Sequence, residues 1–296
     1  MNKLVIAGLA VLVIALLVVS YLLILPLVSP AGRLKVEEFG GKVRIWYGEG
    51  ERNFVDLYLS DGNRTKLVVF VHGGGFRGGT ASGASAKVIT RFFREIGFSV
   101  VSIEYRVCPE HQWPTPLEDI ARGIKAAFQY LKERSVEVDG AVYIGSSAGA
   151  IAGALLIYGP DAFKYGVSRY FNGYIGLSGG YCTSVATKDP REEFEACGVP
   201  IRDIMPFDSY VGDPEKVPAL LIGGLRDTLL DRFAGKGNVN HQVECMASYL
   251  GKYGVRVTKV YIEGGHGEPI RRILGRDPLV IEALFNFLGD IGLGDC

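Results

Sequence analysis

Ala141-Val142-Tyr143-Ile144-Gly145-Ser146-Ser147-Ala148-Gly149 is a short apolar run of β type that ends in a glycine-bracketed turn, and the small, Ala-rich run from Ala148 to Leu156 has helical character. Ser147 therefore falls on the corner between a strand and a helix. Glycines at 145 and 149 suit such a corner. Two backbones pass so close there that Cβ atoms would collide, and the serine itself is held in a strained conformation. A Gly-x-Ser-x-Gly pentapeptide also arises by chance in a chain with 40 glycines, so its meaning depends on what accompanies it.

Upstream, Leu67-Val68-Val69-Phe70-Val71 is an unbroken apolar run of the kind buried on both faces of a parallel sheet, and it ends directly in His72-Gly73-Gly74-Gly75. A loop without Cβ atoms exposes its amides. The N–H groups of Gly74 and Gly75, with that of Ala148 at the start of the helix, are suited to donate to an oxyanion. His72 and Gly73 support this motif, and His72 braces the loop rather than transferring protons. Downstream, Pro218 to Gly223 reads as another buried strand with Asp227 just past its end, and Val255 to Ile262 as the next, followed by His266. Both residues thus leave the carboxyl ends of strands, where open α/β sheets place their sites. Only four histidines are present; His111 lies in a turn and His241 in a surface helix, which leaves His266 as the candidate base. Asp231 rivals Asp227 as the acid but lies further into the following helix. A hydroxyl nucleophile, a base, an acid and oxyanion donors are the parts of an acyl-transfer site, carried here by Ser147, His266, Asp227 and the three amides.

The run Val71 to Phe76, the segment Glu104-Tyr105-Arg106-Val107-Cys108-Pro109-Glu110-His111 with Pro114 to Asp119 behind it, and the Gly145 to Gly149 elbow resemble the hormone-sensitive-lipase-like carboxylesterases and the neighbouring arylformamidase-like esterases. The resemblance runs from about Val43 to the C-terminus. It implies an α/β-hydrolase fold, hydrolysis of carboxylic esters without a cofactor or metal, and a triad in the chain order serine, aspartate, histidine on Ser147, Asp227 and His266. Ser146 stands where the lipase-like branch often has Asp and the formamidase branch often has His, so the subfamily stays open. Cys108 replaces a small residue. Tyr47-Gly48 followed by Asp56-Leu57-Tyr58-Leu59 looks like the opening hairpin of the catalytic domain, which leaves little sequence for a cap and favours short to medium acyl groups. An amidase, formamidase or peptidase would use the same residues, and a membrane-tethered binding protein would retain the scaffold without the chemistry.

From Leu4 to Val28 the chain carries no charge; 25 residues at 1.5 Å each give about 37 Å, enough to cross a hydrocarbon core of roughly 30 Å. This predicts a single N-terminal transmembrane anchor within residues 1–30, ahead of one catalytic domain over 31–296. A cleaved signal peptide has a shorter apolar region, and Ser29-Pro30-Ala31 is a poor cleavage site. Lys and Arg counts would keep the catalytic domain cytoplasmic, whereas the very short N-terminal flank suits export. Of five cysteines, Cys182 and Cys197 flank an irregular segment that a disulfide between them would close, which leans toward an extracytoplasmic side; buried thiols are the alternative. Asn63-Arg64-Thr65 is a glycosylation tripeptide in a turn.

Formal charge is zero, with 32 basic and 32 acidic residues and no basic run, so nothing favours nucleic acid. No spacing suits zinc, and the glycine-rich loop lacks the ending of a phosphate loop. Strands expected near 67–72, 98–104, 140–145, 172–178, 217–223 and 255–262 alternate with helices near 84–96, 117–134, 148–158, 240–253 and 278–289. That alternation predicts a mainly parallel, doubly wound sheet. Glu118 and Asp119 suit a helix start, and Arg106 suits an ion pair. Gly180 to Lys216 reads as the wall or lid of the substrate pocket, in which Tyr181, Phe194, Phe207 and Tyr210 either line the pocket or pack.

Overall fold

The computed structural model describes residues 34–187, 194 and 196–294. The anchor expected over Leu4–Val28 lies outside them; among the described residues no helix is long and apolar enough to cross a membrane.

Nine strands form one sheet in the order β1-β2-β3-β5-β4-β6-β7-β8-β9. β1 (Lys35–Phe39), β2 (Lys42–Trp46) and β3 (Phe54–Tyr58) make the opening edge, with β2–β3 and β3–β5 antiparallel. β4 (Arg64–Val71), β5 (Ser99–Ile103), β6 (Glu137–Ser146), β7 (Gly173–Leu177), β8 (Ala219–Gly224) and β9 (Val257–Ile262) run parallel to one another. The β4 run is buried from Leu67 to Val71 because helices cover both faces, so neither side of the strand alternates with water.

The helices are α1 (Ala84–Glu95), α2 (Thr115–Glu133), α3 (Ala148–Tyr158), α4 (Ala162–Tyr165), α5 (Ile201–Ile204), α6 (His241–Lys252), α7 (Glu268–Leu274) and α8 (Pro278–Asp290). Phe92 and Phe93 of α1 and Leu284 and Phe287 of α8 join Val68, Phe70, Val142 and Ile175 from the sheet in one core. After β4 the chain crosses to β5, then returns to place β6 on the other side of β4. The strand order thus reverses at β4, the kind of position at which doubly wound sheets accept ligands.

Two disulfides tie the segment after β7 to the rest. Cys182 is joined to Cys245 and Cys197 to Cys108, so the expected Cys182–Cys197 link does not form. The reason lies in the helices. Gln242 of α6 accepts the N–H groups of both Tyr181 and Cys182, at 2.7 and 2.9 Å, which seats Cys182 beside Cys245 one turn further on. Trp113 N–H donates to the Cys197 carbonyl at 3.0 Å, which brings Cys197 to the Cys108 segment. The fifth cysteine, Cys296, lies outside the described residues. Tyr181, Phe194 and Phe207 are buried by packing, with Phe194 against Phe76 at 6.1 Å and Phe207 against Tyr249 at 5.1 Å; Tyr210 is half-buried.

Candidate active site

Ser147 sits at the corner between β6 and α3 with φ 52° and ψ −116°, a conformation a non-glycine residue adopts only under constraint. The constraint is visible. Its N–H donates to the Leu177 carbonyl of β7 at 2.8 Å, and its carbonyl accepts from Ala150 and Ile151 at 2.9 and 3.0 Å. Beneath the first turn of α3, Tyr143 O–H donates to the Gly149 carbonyl at 2.8 Å and Tyr174 O–H to that of Ala150 at 2.7 Å. Complete burial pushes both phenols well above their ordinary pKa, so they remain neutral donors. Every residue of α3 is buried, which fixes the helix and its positive N-terminal end beneath the serine.

Three loops from three strand ends meet here. Ser147 Oγ and His266 Nε2 are 2.9 Å apart, and His266 Nδ1 lies 2.9 Å from Asp227 Oδ2. Asp227 is 1% exposed, while the His266 side chain retains 24%. The aspartate is screened from water and the histidine is reachable. Asp231, the rival acid, is equally buried but pairs with His241, whose Nδ1 lies 3.0 Å from its Oδ2. Asp231 lies outside the following helix: residues 228–230 and 232–235 form turns, and the next helix begins at His241.

The His72-Gly73-Gly74-Gly75 loop lies against the elbow. A Cβ on Gly73 would come within 2.9 Å of Ser147 Cβ, so only glycine allows the approach. Gly74 and Gly75 take φ of 121° and 60°. Among the described residues, no protein acceptor takes the N–H groups of Gly74, Gly75 or Ala148, which leaves all three available. His72 is buried and stacked on Tyr105 at 4.3 Å, with Nδ1 2.8 Å from the Gly73 carbonyl and Nε2 3.6 Å from Glu104 Oε1. It braces the loop. Glu104 also accepts from Thr80 Oγ1 and the Ala81 amide, both at 2.8 Å, and pairs with Arg52. Burial pushes the Glu104 carboxyl up, but His72, the Ala81 amide and Thr80 together outweigh it and leave its pKa below the ordinary value.

Arg106 forms a forked pair with the fully buried Asp119, at 2.7 and 2.9 Å, and Asp119 also takes Arg122. This is a structural pair that holds the loop after β5. Sequence reasoning passed over Gln242 and Glu104. The first is one polar residue in a helix; the second was visible only as part of the Glu104-Tyr105-Arg106 segment.

A family model for the alpha/beta hydrolase fold matches residues 68–195. A probable isoprenylcysteine alpha-carbonyl methylesterase of Oryza sativa subsp. japonica is 31% identical over 152 residues, covering 46% of this chain and 34% of that protein. Esterase LipC of Mycobacterium tuberculosis is 27% identical over 127 residues, covering 42% and 31%. The chain thus spans about a third of the length of the curated relatives it matches. Among solved structures, Thermogutta terrifontis esterase 2 phosphonylated by sarin aligns with TM-score 0.68 at 20% identity, over 89% of this chain and 96% of that one. A hyperthermophilic esterase from the archaeon Pyrobaculum calidifontis aligns with TM-score 0.63 at 22% identity, over 86% and 85%. The sheet order, the strained serine at the strand-to-helix corner and these matches together give the chain an α/β-hydrolase fold, with residues 68–195 matching that family's model.

Proposed function

We propose that this chain is a serine carboxylesterase that hydrolyses esters of short to medium acyl chain through an acyl-enzyme. The observation that carries the reading is the continuous relay from Ser147 Oγ to His266 to Asp227, at 2.9 Å for each link. His266, oriented by Asp227, takes the Ser147 proton as Oγ attacks the ester carbonyl. The resulting oxyanion accepts from the amides of Gly74, Gly75 and Ala148, and the alcohol leaves with the proton held by His266. Water, deprotonated by the same histidine, then releases the acid. Asp227→Asn is expected to keep the fold and cut kcat by about 10⁴, the magnitude known for a triad whose histidine is held in the wrong tautomer.

The chain length of the substrate is the less constrained part. The described residues before the sheet core amount to β1 and the β2–β3 edge, so no N-terminal cap is built from them, which favours an open pocket. The test is hydrolysis of p-nitrophenyl esters from acetate to palmitate by the full chain in detergent, alongside Ser147→Ala. Turnover that peaks at short chains and vanishes in the variant supports the reading, and full activity in Ser147→Ala overturns it.

A second reading comes from the matched relatives named as isoprenylcysteine methylesterases in Oryza sativa and Arabidopsis thaliana. Here the substrate is a methyl ester on a lipid-bearing amino acid, delivered from a bilayer at which residues 4–28 anchor the enzyme. Turnover of farnesylcysteine methyl ester in liposomes at a rate above that of p-nitrophenyl acetate would favour it. The disulfides Cys108–Cys197 and Cys182–Cys245 favour an oxidising, extracytoplasmic location for the catalytic part.

A further inference from the structure

The carboxylate of Asp227 is anchored lightly for a group on which the relay depends. Besides His266 Nδ1 on Oδ2, its only partner among the described residues is the Leu230 amide, 3.4 Å from Oδ1. Its place is therefore set by the turn that carries it. That turn is closed by Asp231, whose N–H donates to the Asp227 carbonyl at 3.0 Å.

Asp231 is 1% exposed, and the relay does not use it. Its Oδ1 accepts the Phe233 N–H at 2.8 Å, and its Oδ2 accepts the His241 N–H at 2.7 Å while lying 3.0 Å from His241 Nδ1. His241 is the first residue of α6, so the carboxylate docks at a helix N-terminus, where negative charge is favoured. The same helix end holds the turn from both sides. Asn240 Nδ2 donates to the Gly224 carbonyl before it and Gln242 Nε2 to the Leu230 carbonyl within it, each at 2.8 Å.

We propose that Asp231 is the positioning residue of the acid: it clamps the 227–231 turn to the rigid start of α6 and so fixes the Asp227 carboxylate against His266. This rests on the reading of Ser147, His266 and Asp227 as a working triad. Asp231 touches neither substrate nor the reacting atoms. Its effect is geometric, and displacement of a catalytic group by 1 Å costs about 10²-fold in rate.

The test uses the full chain and its Asp231→Asn, Asp231→Ala and His241→Ala variants. Active sites are counted by the burst of p-nitrophenol from p-nitrophenyl diethyl phosphate, and kcat and KM are measured with p-nitrophenyl acetate per counted site. Asp231→Asn is expected to lower kcat per site about thirtyfold, with KM within about threefold of wild type, short of the full displacement loss. Asp231→Ala falls further. His241→Ala, which removes the ring but keeps both amide donors, loses less than about fivefold, since one charge-assisted contact of three is gone. A role in folding alone would reduce the number of counted sites and leave kcat per site unchanged, and kcat within about twofold of wild type in Asp231→Asn overturns the proposal. Should Asp231→Ala fail to fold, Asp231→Asn, which is isosteric and keeps one acceptor, decides the matter. A wild-type chain that gives no burst removes the triad reading itself, an outcome distinct from a burst that Asp231 variants leave unchanged.

Discussion

An added Cβ at Gly149 would lie 2.1 Å from the Val71 carbonyl oxygen and 2.8 Å from that of His72, and one at Gly145 would lie 2.3 Å from the Gly149 oxygen. These are backbone atoms that cannot swing aside. Gly149→Ala is therefore expected to destabilise the fold by about 3 kcal/mol or more, at the upper end of overpacking costs, and to separate the His72–Gly75 loop from the elbow. Chemical denaturation gives the first effect and the loss of kcat in the surviving folded fraction the second. Glu104 illustrates the opposite case, a side chain whose charge the fold depends on. Its folded pKa is depressed, so the stability it contributes is present above the unfolded carboxylate pKa and is lost as pH falls through the folded value. Glu104→Gln should thus flatten the decline in denaturation midpoint between about pH 5 and pH 3, where unfolded glutamate titrates. A wild-type slope retained in the variant would contradict this. Residue identities alone located the glycines, the serine and the histidine of the relay, because each is demanded by close approach or by chemistry. Position just past the end of β8 also ranked Asp227 ahead of Asp231 as the candidate acid, and in the structure Asp227 meets His266 while Asp231 meets His241.

At the scale of elements, α6 does more than cover the sheet. Asn240 caps it by accepting the Val243 N–H at 3.1 Å and at the same time donates to the Gly224 carbonyl at the end of β8. Asn240→Ala removes both bonds at a site 2% exposed, so it is expected to cost about 2 kcal/mol, the upper range for a lost cap. A melting temperature unchanged from wild type would refute that assignment. The parallel strands and their intervening helices were legible from apolar runs and turn residues because a strand buried on both faces has no room for polar side chains. Asp231, expected within the following helix, lies instead in the irregular stretch before it, and the helix itself begins at His241. The backbone there follows the demands of Asp231, Asn240 and Gln242, whose contacts join residues 10 to 16 positions apart in the chain.

For the molecule as a whole, the two disulfides link residues 89 and 63 positions apart and join the segment after β7 to the Cys108 segment beside the glycine loop and to α6. Replacing Cys182 and Cys245 by serine is expected to lower unfolding stability by about 2–4 kcal/mol, the typical range for a native disulfide. Denaturation of the double variant under the same buffer measures it. The sequence by itself determined the class of fold, the order of the strands' buried runs, and the serine, aspartate, histidine and glycine loop that meet at the strand ends. These follow from local constraints: periodicity, missing Cβ atoms and the scarcity of histidine. Tertiary structure alone decided which cysteines pair and which groups take the Asp231 carboxylate. Each of those is a choice among chemically equivalent partners, and only the packing of distant segments brings one of them within bonding distance.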